Sequence, residues 1–124
     1  MNSIAKITAF NNLLDSFLDY LENNFSAIKS DVRITRTAID FVKSSNPRLV
    51  MTTFMSGIEK YKDEVLACNE NFFLEHVCGL KTALDKNGCL FSEKLRDIWL
   101  DPSTSKKQKA NIFLYLIKMI NLNL

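Results

Sequence analysis

Four side chains able to bind metals or act as nucleophile and base stand in the middle of the chain: Cys68, His76, Cys78 and Cys89. Their types could make a Cys₃His zinc site, because three thiolates and an imidazole fill the four tetrahedral positions of the metal. Structural zinc sites usually bring ligands in close pairs, so that one turn of backbone fixes two of them. Here the nearest pair is His76-x-Cys78, and the three cysteines lie ten and eleven positions apart. A Cys–His nucleophile is the other chemistry these types allow. Neighbours at i and i+2 on a helix do not face each other, which defeats the His76–Cys78 pairing locally. The spacing therefore favours reduced, metal-free thiols behaving as small buried apolar groups. No Gly-rich phosphate loop, His-Glu-x-x-His or Gly-x-Ser-x-Gly occurs. The expectation is a non-enzymatic chain that needs no cofactor.

Two groups of charges remain. Asp15, Asp19 and Glu22 stack at i, i+4 and i+7 with no histidine nearby. They read as a solvated helix face rather than a metal site. Lys106, Lys107 and Lys109 form the one local basic cluster, and Lys118 extends it with no acid after Asp101. Cations in the first turns of a helix oppose its macrodipole and gain nothing locally, so the cluster points to an acidic partner surface or to solubility alone. It has no interleaved exposed aromatics for base stacking, and the formal net charge is only +2, so nucleic acid is a disfavoured partner.

The elements that carry these residues read as helices. Gly (3) and Pro (2) are too scarce for the many turns of an all-β domain. With 124 residues and a 47% hydrophobic fraction, the expected fold is all-α: a compact single-domain bundle of about five to six helices spanning 1–124. Ser3 caps a first helix to about residue 25, with Phe10, Leu13, Leu14, Phe17 and Leu21 on its core face and the three acids opposite. A second helix over about 32–43 is expected to bury Ile34, Ala38, Phe41 and Val42 and to wet Arg33, Arg36, Asp40 and Lys43. Asn46 and Pro47 open a third, in which Val50, Phe54, Ile58, Tyr61 and Val65 stay in phase to about residue 66, with a possible bend at Gly57. Phe73, Val77, Leu80 and Leu84 mark a fourth, stopped by Asn87-Gly88. Ser92 caps a short fifth over 93–100, which presents Leu95, Ile98 and Trp99 and is closed by Asp101-Pro102.

The last helix runs from near Ser105 to about Asn121, and between 112 and 117 it is apolar around its whole circumference. Such a helix is either enclosed by the others or shared with a partner. In the second case Phe113, Ile117 and Ile120, together with Lys106, Lys107 and Lys109, are the partner-binding residues. No apolar stretch is long enough to span a bilayer, the opening residues carry no secretory signal, and three cysteines are an odd number for a disulfide framework. These features suit an intracellular protein.

The opening segment, Phe10-Asn11-Asn12-Leu13-Leu14-Asp15-Ser16-Phe17-Leu18-Asp19-Tyr20-Leu21, and the closing one, Ile98-Trp99 followed by 106–120 with Tyr115-Leu116 at its centre, cover about half the chain. Together they resemble small helical proteins encoded by nucleocytoplasmic large DNA viruses, in which an Ile-Trp pair precedes a polar turn and a final aromatic-rich helix. The resemblance brings no catalytic motif. It implies a virus-encoded protein located in the host cytoplasm or the virion, most concretely a minor capsid-associated component whose partners are viral structural proteins or copies of itself. The alternative is a regulatory binder that engages a host or viral protein through a helix-lined surface, although the groove motif of viral apoptosis inhibitors is not found.

Overall fold

The computed structural model describes residues 3–59, 62–69 and 97–122. Among them every regular element is helical and no strand occurs, so the fold is all-α. Tyr61, His76, Cys78, Cys89, Leu95, the expected fourth helix and the Ser92 cap lie outside the described residues.

Helix α1 (Ser3–Asn24) is the axis of the fold, and the other three long helices all pack on it. Ser3 is already inside the helix rather than capping it. At 22 residues α1 is about 33 Å long, enough to offer a separate face to each neighbour. Phe10, Leu14, Phe17 and Leu21 are buried as their spacing requires, joined by Leu18. A 3-10 turn, Ser26–Ile28, then reverses the chain. The buried side chains of Phe25 and Ile28 pin it, and the Phe25 N–H donates to the Leu21 carbonyl at 3.0 Å.

Helix α2 (Lys29–Ser45) starts earlier and ends later than its apolar pattern suggests. Asn46 separates it from α3 (Pro47–Ile58). Pro47 begins α3 where no N–H is needed. The Asn46 side chain makes no capping bond; its backbone N–H instead donates to the Val42 carbonyl at 2.8 Å, closing α2. Helix α3 buries Val50, Met51, Phe54 and Ile58 and stops there, and the expected continuation is a separate short helix, α4 (Lys62–Leu66), with Val65 buried.

The end of α4 is closed by a pair of backbone bonds. Asn69 N–H reaches the Glu64 carbonyl and Cys68 N–H the Val65 carbonyl, both at 3.0 Å. This is the Schellman arrangement, and it requires a left-handed residue at the position Cys68 occupies with φ 53°. Residues 97–100 are helical, and the turn after them is tied by Thr104, whose hydroxyl donates to the Ile98 carbonyl at 2.6 Å. Helix α5 (Lys106–Asn121) completes the described chain and packs on α1 and α4.

Aromatic pairs lock these contacts. Phe10 meets Phe54 across α1 and α3 with ring centroids 5.3 Å apart, while Phe17 stacks on Tyr115 of α5 at 5.4 Å. The Tyr20 hydroxyl sits in the same α1–α5 seam, donating to the Gln108 carbonyl and accepting from Asn111, each at 3.4 Å.

Candidate interaction surface

Helix α2 is rotated from the expected phase. Arg33 and Asp40 face water as expected and Val42 turns partly inward, but the core contact centres on Val32, Ile39 and Val42. Ile34 and Phe41 are 70% and 77% exposed, and Ala38 is exposed with them. Of the four residues expected to be buried, only Val42 turns partly inward, beside half-buried Ile39 and fully buried Val32. Arg36 and Lys43, expected on the wet side, are instead largely covered, with side chains 25% and 21% exposed.

Two contacts fix this phase: Val32, Ile39 and Val42 pack on the core, and the acidic stripe of α1 pairs with cations of α2. Arg36 donates to Asp19 at 2.6 Å and approaches Asp15 at 3.6 Å, Lys43 reaches Asp15 at 3.4 Å, and Arg33 bonds Glu22 at 3.1 Å. The three acids are thus not a freely solvated face but one side of an ionic seam between α1 and α2. Had Ile34 and Phe41 packed there instead, three carboxylates would be partly desolvated without cations. Pairs this exposed contribute at most about 1 kcal/mol each, so they act together with the burial of Val32, Ile39 and Val42.

What this leaves outside is continuous. Along α2, Ser30, Ile34, Thr37, Phe41 and Ser44 recur at alternating spacings of four and three, all are exposed, and none is charged. Ala38 and Ser45 widen the stripe. Several of its hydroxyl donors are already used within the helix: Thr37 bonds the Arg33 carbonyl at 3.0 Å, Ser44 the Phe41 carbonyl at 2.7 Å and Ser45 the Val42 carbonyl at 3.2 Å. A surface whose donors are satisfied internally loses little on being dried. Spacings of three and four place these residues on one face of α2.

The sequence-derived candidates on α5 divide differently. Phe113 and Ile120 lie in the core at 4% and 2% exposure, and Ile117 is half-buried against it. Phe113 and Trp99 meet at right angles, with ring centroids 5.4 Å apart. The enclosed-helix alternative describes these three residues, and the outward face of α5 carries Leu114 in their place. Its N-terminus is closed by a reciprocal capping box: the Ser105 hydroxyl accepts from the Gln108 N–H at 3.1 Å, and the Gln108 side chain accepts from the Ser105 N–H at 2.9 Å. Lys109 holds its ammonium 5.6 Å from the Trp99 ring centre, so part of the basic cluster serves packing. Lys106 and Lys107 are exposed.

In the turn before α5, hydrogen bonds from the Ser103 backbone and hydroxyl hold the Asp101 carboxyl below the usual aspartate range. Cys68, expected to behave as a buried thiol, is exposed instead, at the left-handed position that ends α4. Among the described residues, no three His, Cys, Asp or Glu side chains are grouped to hold a metal, and no helix is long and apolar enough to cross a membrane. The exposed seam of α2 escaped sequence reasoning because its residues looked like core. The signal that could have found it is the matching of acids on α1 with Arg36 and Lys43 on α2.

No family model matches the chain, and no curated protein or solved structure is significantly similar to it.

Proposed function

We propose that this chain is a non-enzymatic interaction module that works by docking a protein on the outward face of α2. The observation that carries the reading is the exposure of Ile34 and Phe41 at the centre of an uncharged helical seam. Isolated apolar residues on a surface need no explanation, but a seam in helical register does. An ionic lock and the apolar contact of Val32, Ile39 and Val42 hold this face of α2 outward, so the exposure follows from how the helix is anchored. Particle association, as a minor structural component of a large DNA virus, rests on the resemblance of the two end segments. It is tested by whether the chain is present stoichiometrically in purified particles.

Site-specific photocrosslinking tests the docking role. A photoreactive residue placed at position 41 should give a discrete protein adduct in the source cells, and the same residue at exposed position 107 should not. Failure to form any adduct at 41, or equal adducts at both positions, would remove α2 as the working surface.

A further inference from the structure

We propose that the occupant of this seam is a second copy of the same chain, its α2 lying antiparallel about a two-fold axis midway between Ile34 and Phe41. The proposal rests on the docking role of α2 and names its partner.

Self-complementarity is the argument. With the axis between positions 37 and 38, Ile34 of one protomer lies level with Phe41 of the other, and the contact occurs twice. Thr37 and Ala38 sit at the crossing, where small side chains let helices approach to about 8–10 Å. Ser30 and Ser45 meet at the ends. Large residues then flank a small centre on both partners, which is how an isologous helix pair interlocks.

The charges choose the direction. Arg33 and Asp40 lie on the same edge of the seam, 20° apart in helical projection by about 100° per residue. Rotation about the two-fold brings that edge against itself. Arg33 of one protomer then stands within about 3 Å, along the helix axis, of the level of Asp40 in its partner. Side chains of that length span the offset easily, and the pair forms twice. Both are open to a newcomer, with side chains 64% and 58% exposed. Arg33 can keep Glu22 because its guanidinium has five donors, and Asp40 can accept from Lys43 and Arg33 together. In a parallel pair this edge would face the opposite edge, and the Arg33–Asp40 contact would be lost. A single helix–helix contact is small beside a standard interface, so the dimer is a weak one, with a dissociation constant on the order of tens to hundreds of micromolar.

Sedimentation equilibrium on the purified full chain reads this directly. From about 1 µM to about 1 mM the mass should climb from the 14.2 kDa of one chain toward twice that value. Phe41→Ser should abolish the rise while leaving the helical circular-dichroism spectrum intact. Arg33→Asp or Asp40→Arg places like charges together twice per dimer, and each should weaken association about tenfold. The double exchange R33D/D40R should restore it to within about threefold of the parent. A chain that keeps its single-chain mass at about 1 mM would overturn self-pairing. So would a dimer that survives Phe41→Ser, or a double exchange that recovers nothing. The two proposals fail separately. A monomer that yields a foreign-protein adduct at position 41 sinks self-pairing and leaves the docking role standing, whereas an adduct formed within the chain sinks both.

Discussion

Two phenylalanines of opposite surroundings provide the most direct test of the α2 assignment. Phe54 is 2% exposed and packs on Phe10, so truncation to Ala opens a cavity between α1 and α3 and should cost about 3–5 kcal/mol. Phe41 is 77% exposed, so less than a quarter of its surface is withdrawn from water. Scaled from full burial, that contact contributes under about 0.7 kcal/mol. Ala is also the better helix former, by roughly 0.5 kcal/mol, which offsets most of the loss. Phe41→Ala should therefore be neutral to within about 0.5 kcal/mol.

A chain of this length unfolds with an entropy on the order of 0.26 kcal/mol/K, so 1 kcal/mol moves the melting temperature by about 4 °C. Thermal and urea unfolding at low micromolar concentration, where association adds nothing, should show Phe54→Ala lowered by about 12–20 °C. Phe41→Ala should shift by less than about 3 °C. A loss above about 2 kcal/mol for Phe41→Ala would refute the argument, since only a buried ring costs that much.

Four further outcomes follow from the same contacts. Cys68→Gly should raise stability by about 1 kcal/mol in urea unfolding, because glycine takes the left-handed position without steric penalty, whereas Cys68→Ala should not. Arg36→Ala should cost about 1–2 kcal/mol by leaving Asp15 and Asp19 short of a cation, and the cost should shrink in 1 M salt as measured by unfolding at two ionic strengths. Ser105→Ala should lose about 1 kcal/mol, with non-additive behaviour against Gln108→Ala in a double-mutant cycle, since the two side chains cap reciprocally. The Asp101 carboxyl, followed by NMR, should titrate below the ordinary aspartate value of about 3.9; its depressed pKa means the Ser103 turn adds stability above that pH and loses it as pH falls through the folded value.

The parts of the fold that were legible in the sequence are those where local pattern and tertiary demand agree. On α1 the apolar spacing is unopposed, so Phe10, Leu14, Phe17 and Leu21 are buried as read. At α5 the Ser105–Gln108 box marks the start unambiguously, and the helix runs as expected to Asn121. The break after Ile58 was harder to see, because Val65 stays in phase with α3 although the helix does not continue. Apolar periodicity reports which face is buried and not where a helix ends, so the stripe alone does not show the end of α3 at Ile58. The partner set on α5 was legible as an apolar run but not as an orientation. Which of its faces meets α1 depends on Tyr20, Phe17 and Trp99, elements remote in sequence.

The α2 face was illegible for a more instructive reason. Periodicity assumes that the apolar side of an amphipathic helix turns inward, which holds when the receiving surface is apolar. Here the receiving surface includes Asp15, Asp19 and Glu22, themselves set by the burial of the opposite side of α1. Once α1 is committed by its five buried residues, its acidic face pairs with Arg36 and Lys43. Val32, Ile39 and Val42 make the apolar contact of α2, which leaves Ile34 and Phe41 outside. The apolar stripe left outside is a local conflict in an otherwise consistent sequence. Such conflicts collect where a chain serves something beyond its own stability. The residues that lost the competition for the core, Ile34 and Phe41, are for that reason the ones on which the docking role is placed.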